Sequence, residues 1–438
     1  MLNIYMDNLY PEINDPLFNI KISKSKEFYE QSMTFTRSDD TAAEADKKCF
    51  ASFELSPHQQ FVKNFLSVNT PYNSLLLFHG LGTGKTCSAI GVSEGMRVYM
   101  KQMNITKKII VVAAPNVQSN FKQQLFDERK MKKSGGIWNI SGCSGHNFIS
   151  EINPVNLKGI SKEKIVTQVE RIINNYYSFM GYGEFANYIS KTSTVSGEFS
   201  AEQKEIIKGR RLRKVFTNRL IIIDEVHNIR TNDDKKVKRV SSKLDELIKY
   251  VHPLRLLLLT ATPMYNDPKE IIWLINLMNK NDGRSVLNSD EVFNKQGEFI
   301  LNDEGINVGK ELLIRKSIGY VSFVKGDNPY TFPYRIFPND YKSGKSLKQI
   351  VYPTKSMFGG DILQPMEHLD LYCVGTGIYQ NDVYSYIIET LKSTMNDTSI
   401  SVENIERYGY MLLQKPLEAL NMTYPVSGDL KEFPVKSL

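Results

Sequence analysis

The sequence predicts an α/β protein built on a mainly parallel sheet with helices on both faces, and three observations predict it. Four apolar runs, "SLLLF" (74–78), "KKIIVVAA" (107–114), "RLIIID" (219–224) and "LRLLLLTAT" (254–262), lack the alternation of a half-exposed strand and are separated by helical or mixed segments. The first run enters a glycine-rich loop ending in Lys-Thr, and the third ends in two adjacent acids. With 438 residues the chain exceeds one ordinary core. At about 150 residues per domain, two or three domains are expected.

Residues 1–50 mix short apolar runs with the polar "RSDDTAAEADKK" and read as an N-terminal arm. The opening "MLNIYMDNLYPEIND" has neither a basic start nor an apolar core, so it is no signal peptide. Turn-forming "NTPYNS" then precedes the first strand. Beyond that strand, Gly82, Thr83 and Gly84 let several backbone N–H groups face one anion, and the following helix presents its positive end there. Lys85 is placed to reach the β- and γ-phosphates of a nucleotide, and the Thr86 hydroxyl to ligate Mg²⁺. Ala89, Val92, Met96, Tyr99 and Met103 recur at helical spacing, which completes the strand–loop–helix context. The general phosphate-loop pattern has glycine where this chain has His79, so only the shorter ending GxGKT is intact.

The second and third strands are about a hundred residues apart, longer than one crossover, and an insertion is expected over about 122–210. It contains "SKEKIVTQVERIINNYYSFM", whose apolar spacing is helical. "RLIIIDEVHNIR" places Asp224 and Glu225 at the carboxyl end of a buried strand, where open α/β sheets bind ligands. Asp224 suits Mg²⁺, and Glu225 suits the orientation and deprotonation of an attacking water. "NKND" (279–282) matches a guanine-reading motif, but Asp267, Pro268 and Glu270 begin a helix that "IIWLINLM" continues. "NKND" is therefore a helix exit, and a GTPase is excluded further by His227, where DxxG requires glycine.

No apolar run approaches the roughly 20 residues of a membrane span, so no membrane partner is expected. The hydrophobic and charged fractions, 41% and 24%, are those of a soluble globular protein. Cys49, Cys87, Cys143 and Cys373 show no pairing spacing, which fits a reducing compartment, cytosolic or nuclear, and not a secreted product. Cys143 and His146 form a CxxH without the other half of a zinc site. A net charge of +7 permits nucleic acid as partner, and "RKMKK" (129–133), "KGRRLRK" (208–214) and "KKVKR" (235–239) offer phosphate contacts or solvated helix faces.

"GLGTGKT", "DEVH" and "LTATP", in that order, resemble motifs I, II and III of superfamily 2 helicases and translocases over roughly residues 53–280. That family tolerates a non-glycine residue at the position of His79. "LSPHQQFVKNFL" resembles the segment ahead of motif I, with Gln59 in the place of an adenine-reading glutamine. "APNVQSNF" resembles motif Ia and "MGYGEF" motif Ib; the resemblance implies nucleic-acid backbone contacts at Pro115, Asn116, Gly181 and Tyr182. It also implies that His227, Thr260 and Thr262 couple the γ-phosphate site to the nucleic-acid track. "LTATPMYNDPKEIIWLINLM" is similar to the Swi/Snf branch, whose members usually pump along duplex DNA.

"LYPEINDPLFNIKISKSKEF" and "GYVSFVKGDNPYTFPYRIFP" resemble helicase-like ATPases of nucleocytoplasmic large DNA viruses, relatives of the poxvirus early transcription factor small subunit and nucleoside triphosphatase I. The implied product is a viral ATP- and Mg²⁺-dependent motor serving transcription, with DNA placed before RNA as partner, in the cytoplasm, the virion or the nucleus. The other class carried forward is a non-catalytic ATP-binding assembly or DNA-binding subunit. The expected organisation is an arm over 1–50, a RecA-like ATP-binding lobe over 51–280, a connector over 281–367 and the start of a second lobe over 368–438. No QxxGRxxR-type segment follows "HLDLYCVGTGIYQNDVYSYII", so the second lobe is expected to be incomplete, or supplied by a partner polypeptide or the transcription machinery.

Overall fold

The structure is a computed structural model that describes residues 9–31, 54–140, 142–144, 147–229, 235–252, 254–264, 267–325, 336–347, 353–355, 361–362, 371–397 and 414–424. The chain divides into two units, Met1–Pro333 and Tyr334–Leu438. The first begins with helices α1 (Phe18–Lys24), α2 (Lys26–Tyr29) and α3 (Pro57–Phe65). Strand β1 (Ser74–His79) then feeds α4 (Lys85–Gln102), and β2 (Ile109–Val112) feeds α5 (Pro115–Leu125). A hairpin of β3 (Met131–Ser134) and β4 (Ile137–Ile140) leads through α6 (Asn147–Ile152) and α7 (Lys162–Tyr176) into β5 (Tyr177–Met180). Next come α8 (Tyr182–Ser193), α9 (Ala201–Phe216), β6 (Leu220–Ile223), α10 (Lys235–Tyr250) and β7 (Arg255–Thr260). Helices α11 (Glu270–Asn281), α12 (Ser289–Val292) and α13 (Val308–Ser317) and strand β8 (Val321–Val324) complete the unit's described elements.

Six strands form one sheet in the order β5-β2-β6-β7-β1-β8, every pairing parallel. Successive side chains point to opposite faces, and both faces are buried. Leu75, Leu77, Ile109, Val111, Ile222 and Leu257 face one hydrophobic layer, which α3, α4, α5 and α7 cover. Leu76, Ile110, Val112, Ile221, Ile223 and Leu256 face the other, under α8 to α11. This double burial is why the four central runs are continuously apolar.

The edge strands differ. β8 alternates exposed and half-buried residues, and β5 buries only Tyr177. β5 lies inside the span expected as an insertion, yet it pairs with β2 in the main sheet. Its sequence follows a helix without a turn signal, so the helical spacing concealed it.

The described N-terminal residues pack on the lobe. Phe18, Ile22 and Phe28 are buried with Phe65 and Tyr72, and the Tyr72 hydroxyl donates to the Pro11 carbonyl at 2.9 Å. On α4, Arg97 is 1% exposed and donates to Glu94 from Nε and Nη2 at 3.0 and 2.8 Å, and to Glu151 from Nη1 at 2.6 Å. The Tyr177 hydroxyl donates to Glu94 at 2.7 Å. One buried ion cluster thus ties α4 to α6 and to β5.

Cys87 and Cys143 are joined as a disulfide, which corrects the reading of the cysteines as unpaired. The separation of 56 residues carries no local signal; the fold brings the start of α4 against the segment after β4. His146 lies outside the described residues. "NKND" ends α11: the Asn279 amide donates to the Ile275 and Lys316 carbonyls, and Asn281 bonds Leu254 and Ser74 at the amino ends of the strands. Of the basic clusters, Lys208 pairs with Glu246 and Arg129 with Asp127, so these two members are internally compensated. In the second unit, Val383 and Ile387 of a helix over Ile378–Asp397 pack with Ala419. No described helix is long and apolar enough to cross a membrane.

Candidate active site

The expected site residues gather at the carboxyl ends of β1, β2, β5, β6 and β7, the end at which open parallel sheets bind ligands. The loop after β1 turns through two left-handed residues, Gly82 (φ 76°) and Gly84 (φ 79°). That region costs a glycine nothing. A Cβ on Gly84 would also come within 2.3 Å of Gln59 Nε2. The Thr83 hydroxyl closes the turn on the Gly80 carbonyl at 2.8 Å. Lys85 and Thr86 open α4, and Lys85 Nζ donates to the His79 carbonyl at 3.0 Å.

The loop is braced from α3. Gln59, 7% exposed, accepts the Ser56 N–H at 2.9 Å and donates to the Gly84 carbonyl at 3.2 Å. His58 Nε2 lies 3.0 Å from the Thr83 carbonyl and donates to it, while Nδ1 meets the Ser56 hydroxyl at 3.1 Å. Burial lowers the His58 pKa, and the Thr83 bond partly offsets that. His79 is fully buried, with Nε2 at 2.8 Å from the Ser322 hydroxyl of β8 and its ring edge-on to His58. Burial first, then the His58 and Lys85 charges, push its pKa down to about 3.

Asp224 directly follows β6, 5% exposed, with its N–H on the Val112 carbonyl at 3.0 Å. Burial, then the Glu225 charge, push its pKa up to about 6, and the Glu225 N–H and the Lys85 charge oppose the rise. Glu225 is a non-glycine residue in left-handed conformation, φ 48°, and its N–H donates to Asp224 Oδ1 at 2.9 Å. His227 Nδ1 stands 3.3 Å from Glu225 Oε2 and 2.8 Å from the Thr260 hydroxyl. Thr260, fully buried at the end of β7, also accepts the Thr262 N–H at 3.0 Å. His227, Thr260 and Thr262 thus form one chain beside the acids.

Pro115 and Asn116 sit exposed at the start of α5, directly after β2. Gly181 caps α8 and Tyr182 opens it. The Tyr182 hydroxyl turns inward and donates to the Asp224 carbonyl at 2.7 Å, so its polar end meets the segment that carries the acids. Burial is the main cause that pushes its pKa up to about 12, which keeps the donor proton in place. Two residues, His58 and Ser322, escaped the sequence reading, and the inward hydrogen bond of a third, Tyr182, was not foreseen. His58, adjacent to Gln59, carried a positional hint; Ser322 and the inward use of Tyr182 carried none, because both arise from parallel pairings between distant strands.

The sequence profile described as the SNF2-related domain matches residues 58–314. Two proteins of Acanthamoeba polyphaga mimivirus, each named "Putative ATP-dependent RNA helicase", are 26% identical over 370 residues and 25% identical over 412 residues. The matches cover 78% and 88% of this chain, and 29% and 62% of those proteins. An African swine fever virus protein named early transcription factor large subunit homolog is 24% identical over 339 residues, covering 67% of this chain and 30% of its own.

Proposed function

The chain belongs to the SNF2-related domain family, and from that premise we propose that it is the ATP-hydrolysing motor lobe of a DEVH-type nucleic-acid translocase acting along duplex DNA in viral transcription. One observation carries the reading. The loop that ends in Lys85 and the acids Asp224 and Glu225, far apart in sequence, meet at one end of the sheet, close enough for the Lys85 charge to act on Asp224.

The residues fit a magnesium nucleotide: two left-handed glycines leave a cradle free of Cβ atoms, and the buried Asp224 carboxylate lies where a divalent cation would offset its burial. When bound, Mg²⁺–ATP supplies the phosphoryl group and the charge that stabilises its transfer. Backbone N–H groups of Gly82, Thr83 and Gly84 face the phosphates. Lys85 exchanges the His79 carbonyl for phosphate oxygens. Thr86 and Asp224 offer oxygen ligands to the metal, and Glu225 orients the attacking water and takes its proton. Gln59 uses one donor and one acceptor on the protein; an amide has another of each, enough to read an adenine edge. Pro115, Asn116 and Gly181 meet the nucleic-acid backbone. The name of the African swine fever virus relative supports the transcriptional assignment.

The test separates binding from chemistry. Lys85→Ala should weaken ATP binding about tenfold or more by removing a charge paired with phosphate. Glu225→Gln should leave binding within about twofold and, in the assembled two-lobe enzyme with duplex DNA, abolish turnover, since the amide keeps shape but cannot take a proton. Retention of most turnover by Glu225→Gln overturns the assignment of the base.

A further inference from the structure

Glu225 holds a backbone conformation that non-glycine residues rarely adopt. Such strain persists only where the surroundings over-determine it. Two contacts near the turn belong to it: the Glu225 N–H on Asp224 Oδ1, and the Asn228 N–H on the Glu225 carbonyl at 2.9 Å. The third comes from outside. Tyr182 has one hydroxyl proton, and the 2.7 Å contact to the Asp224 carbonyl claims it, with the Glu225 carbonyl farther off at 3.4 Å. The Asn228 side-chain amide approaches the same phenolic oxygen at 3.5 Å. The Tyr182 ring packs on the hydrophobic layer beneath α8, so the hydroxyl is aimed by packing and not by solvent.

Tyr182 is also the first residue of α8, and the N–H of its cap Gly181 is taken by the Glu184 carboxylate at 3.3 Å. A displacement of the start of α8 therefore moves the donor that holds the acidic turn.

We infer that Tyr182 is a positioning residue: its hydroxyl fixes the left-handed turn at Glu225 and transmits engagement of nucleic acid at the start of α8 to the hydrolytic acids. This rests on the reading of Asp224 and Glu225 as metal ligand and base, and of Gly181 as a nucleic-acid contact. Tyr182→Phe removes the hydroxyl and keeps the ring, so packing and melting temperature should stay close to those of the unaltered chain. In the full chain, exchange of the Asn228 amide hydrogen should accelerate about tenfold, the scale of one lost hydrogen bond. Addition of a random-sequence DNA duplex should alter that exchange in the unaltered chain and not in Tyr182→Phe. Turnover with duplex DNA should fall about tenfold while the Kd for Mg²⁺–ATP changes less than twofold, a split that general destabilisation would not produce.

Unchanged Asn228 exchange in Tyr182→Phe overturns the inference. So does a fall in melting temperature with parallel weakening of nucleotide binding, which would make Tyr182 a packing residue only. Glu225→Gln is the reference: if it is inactive while Tyr182→Phe keeps full DNA-stimulated turnover, the positioning role fails and the reading of the acids stands. If Glu225→Gln itself turns over, the reading of the acids fails, and the exchange measurement still decides whether the hydroxyl holds the turn.

Discussion

Acidification should destabilise the lobe through His79, a residue beside the phosphate loop that does no chemistry in our reading. The imidazole is fully buried, bonded to Ser322 and edge-on to His58, and its pKa falls from 6.5 to about 3 in the folded chain. The sign follows from which state takes up the proton. Above about pH 7 neither state is protonated and His79 contributes nothing to the pH dependence. As pH falls below 6.5 the unfolded chain binds a proton that the folded chain refuses, so stability drops until the pH approaches 3. At about pH 5, roughly 1.5 pH units into that window, the loss is about 2 kcal/mol. That is roughly a seventh to two fifths of a typical folding free energy of about 5–15 kcal/mol. Urea unfolding without nucleotide, from about pH 7.5 to about pH 5, should therefore show a loss about 2 kcal/mol greater in the unaltered chain than in His79→Gln. Asp224, with a raised pKa, acts in the opposite direction in both proteins and cancels in the difference. Parallel pH profiles, or a His79 imidazole resonance titrating near 6.5 in the folded protein, would refute the reasoning.

Two further outcomes are expected. Arg97→Ala should lower stability by about 3–5 kcal/mol, because it leaves Glu94, 2% exposed, as an unpaired buried charge; Arg97→Met with Glu94→Leu should recover most of that loss, and a single variant as stable as the unaltered chain in urea would count against the network. Nucleic-acid affinity should fall at least about tenfold between about 50 and 200 mM salt, with little sequence preference, if contacts run through the phosphate backbone; a flat salt response in fluorescence anisotropy would point to a base-reading module.

The centre of the fold was legible in the sequence and its margins were not. β1, β2, β6 and β7 are buried on both faces, so their interiors are continuously apolar, polar residues stand only at the ends of β1 and β7, and the run itself marks the strand. β5 and β8 sit at the edges, where half the residues meet solvent or a helix, and their short mixed sequences look like helix ends and loops. The phosphate loop and the acids were legible for a similar reason. Gly82 and Gly84 answer a backbone requirement, and Asp224 and Glu225 stand at the strand end that the apolar run before them marks, their chemical role being the part we propose. The Cys87–Cys143 bond and the His79–Ser322 contact depend only on which elements become neighbours. Nothing local encodes them.

What the motif residues do not supply themselves is support for their own carbonyls. A loop with two left-handed glycines, and a strand end that breaks into a left-handed turn, both leave C=O groups without ladder partners, and buried carbonyls need donors. The donors come from outside the motifs for two of them, His58 to Thr83 and Tyr182 to Asp224, while Gln59 adds a second donor to the Gly84 carbonyl that the Ser88 N–H of α4 already meets. Lys85 is the exception, since its donor to the His79 carbonyl is the group expected to leave when phosphate arrives. Nucleotide binding therefore removes one brace from the strand end that β8 flanks, while the braces from α3 and α8 remain. The phosphate loop stays braced from α3 and the acidic turn from α8, while the end of β1 loses the Lys85 donor. The released carbonyl belongs to His79, whose side chain meets Ser322 of the adjoining strand β8.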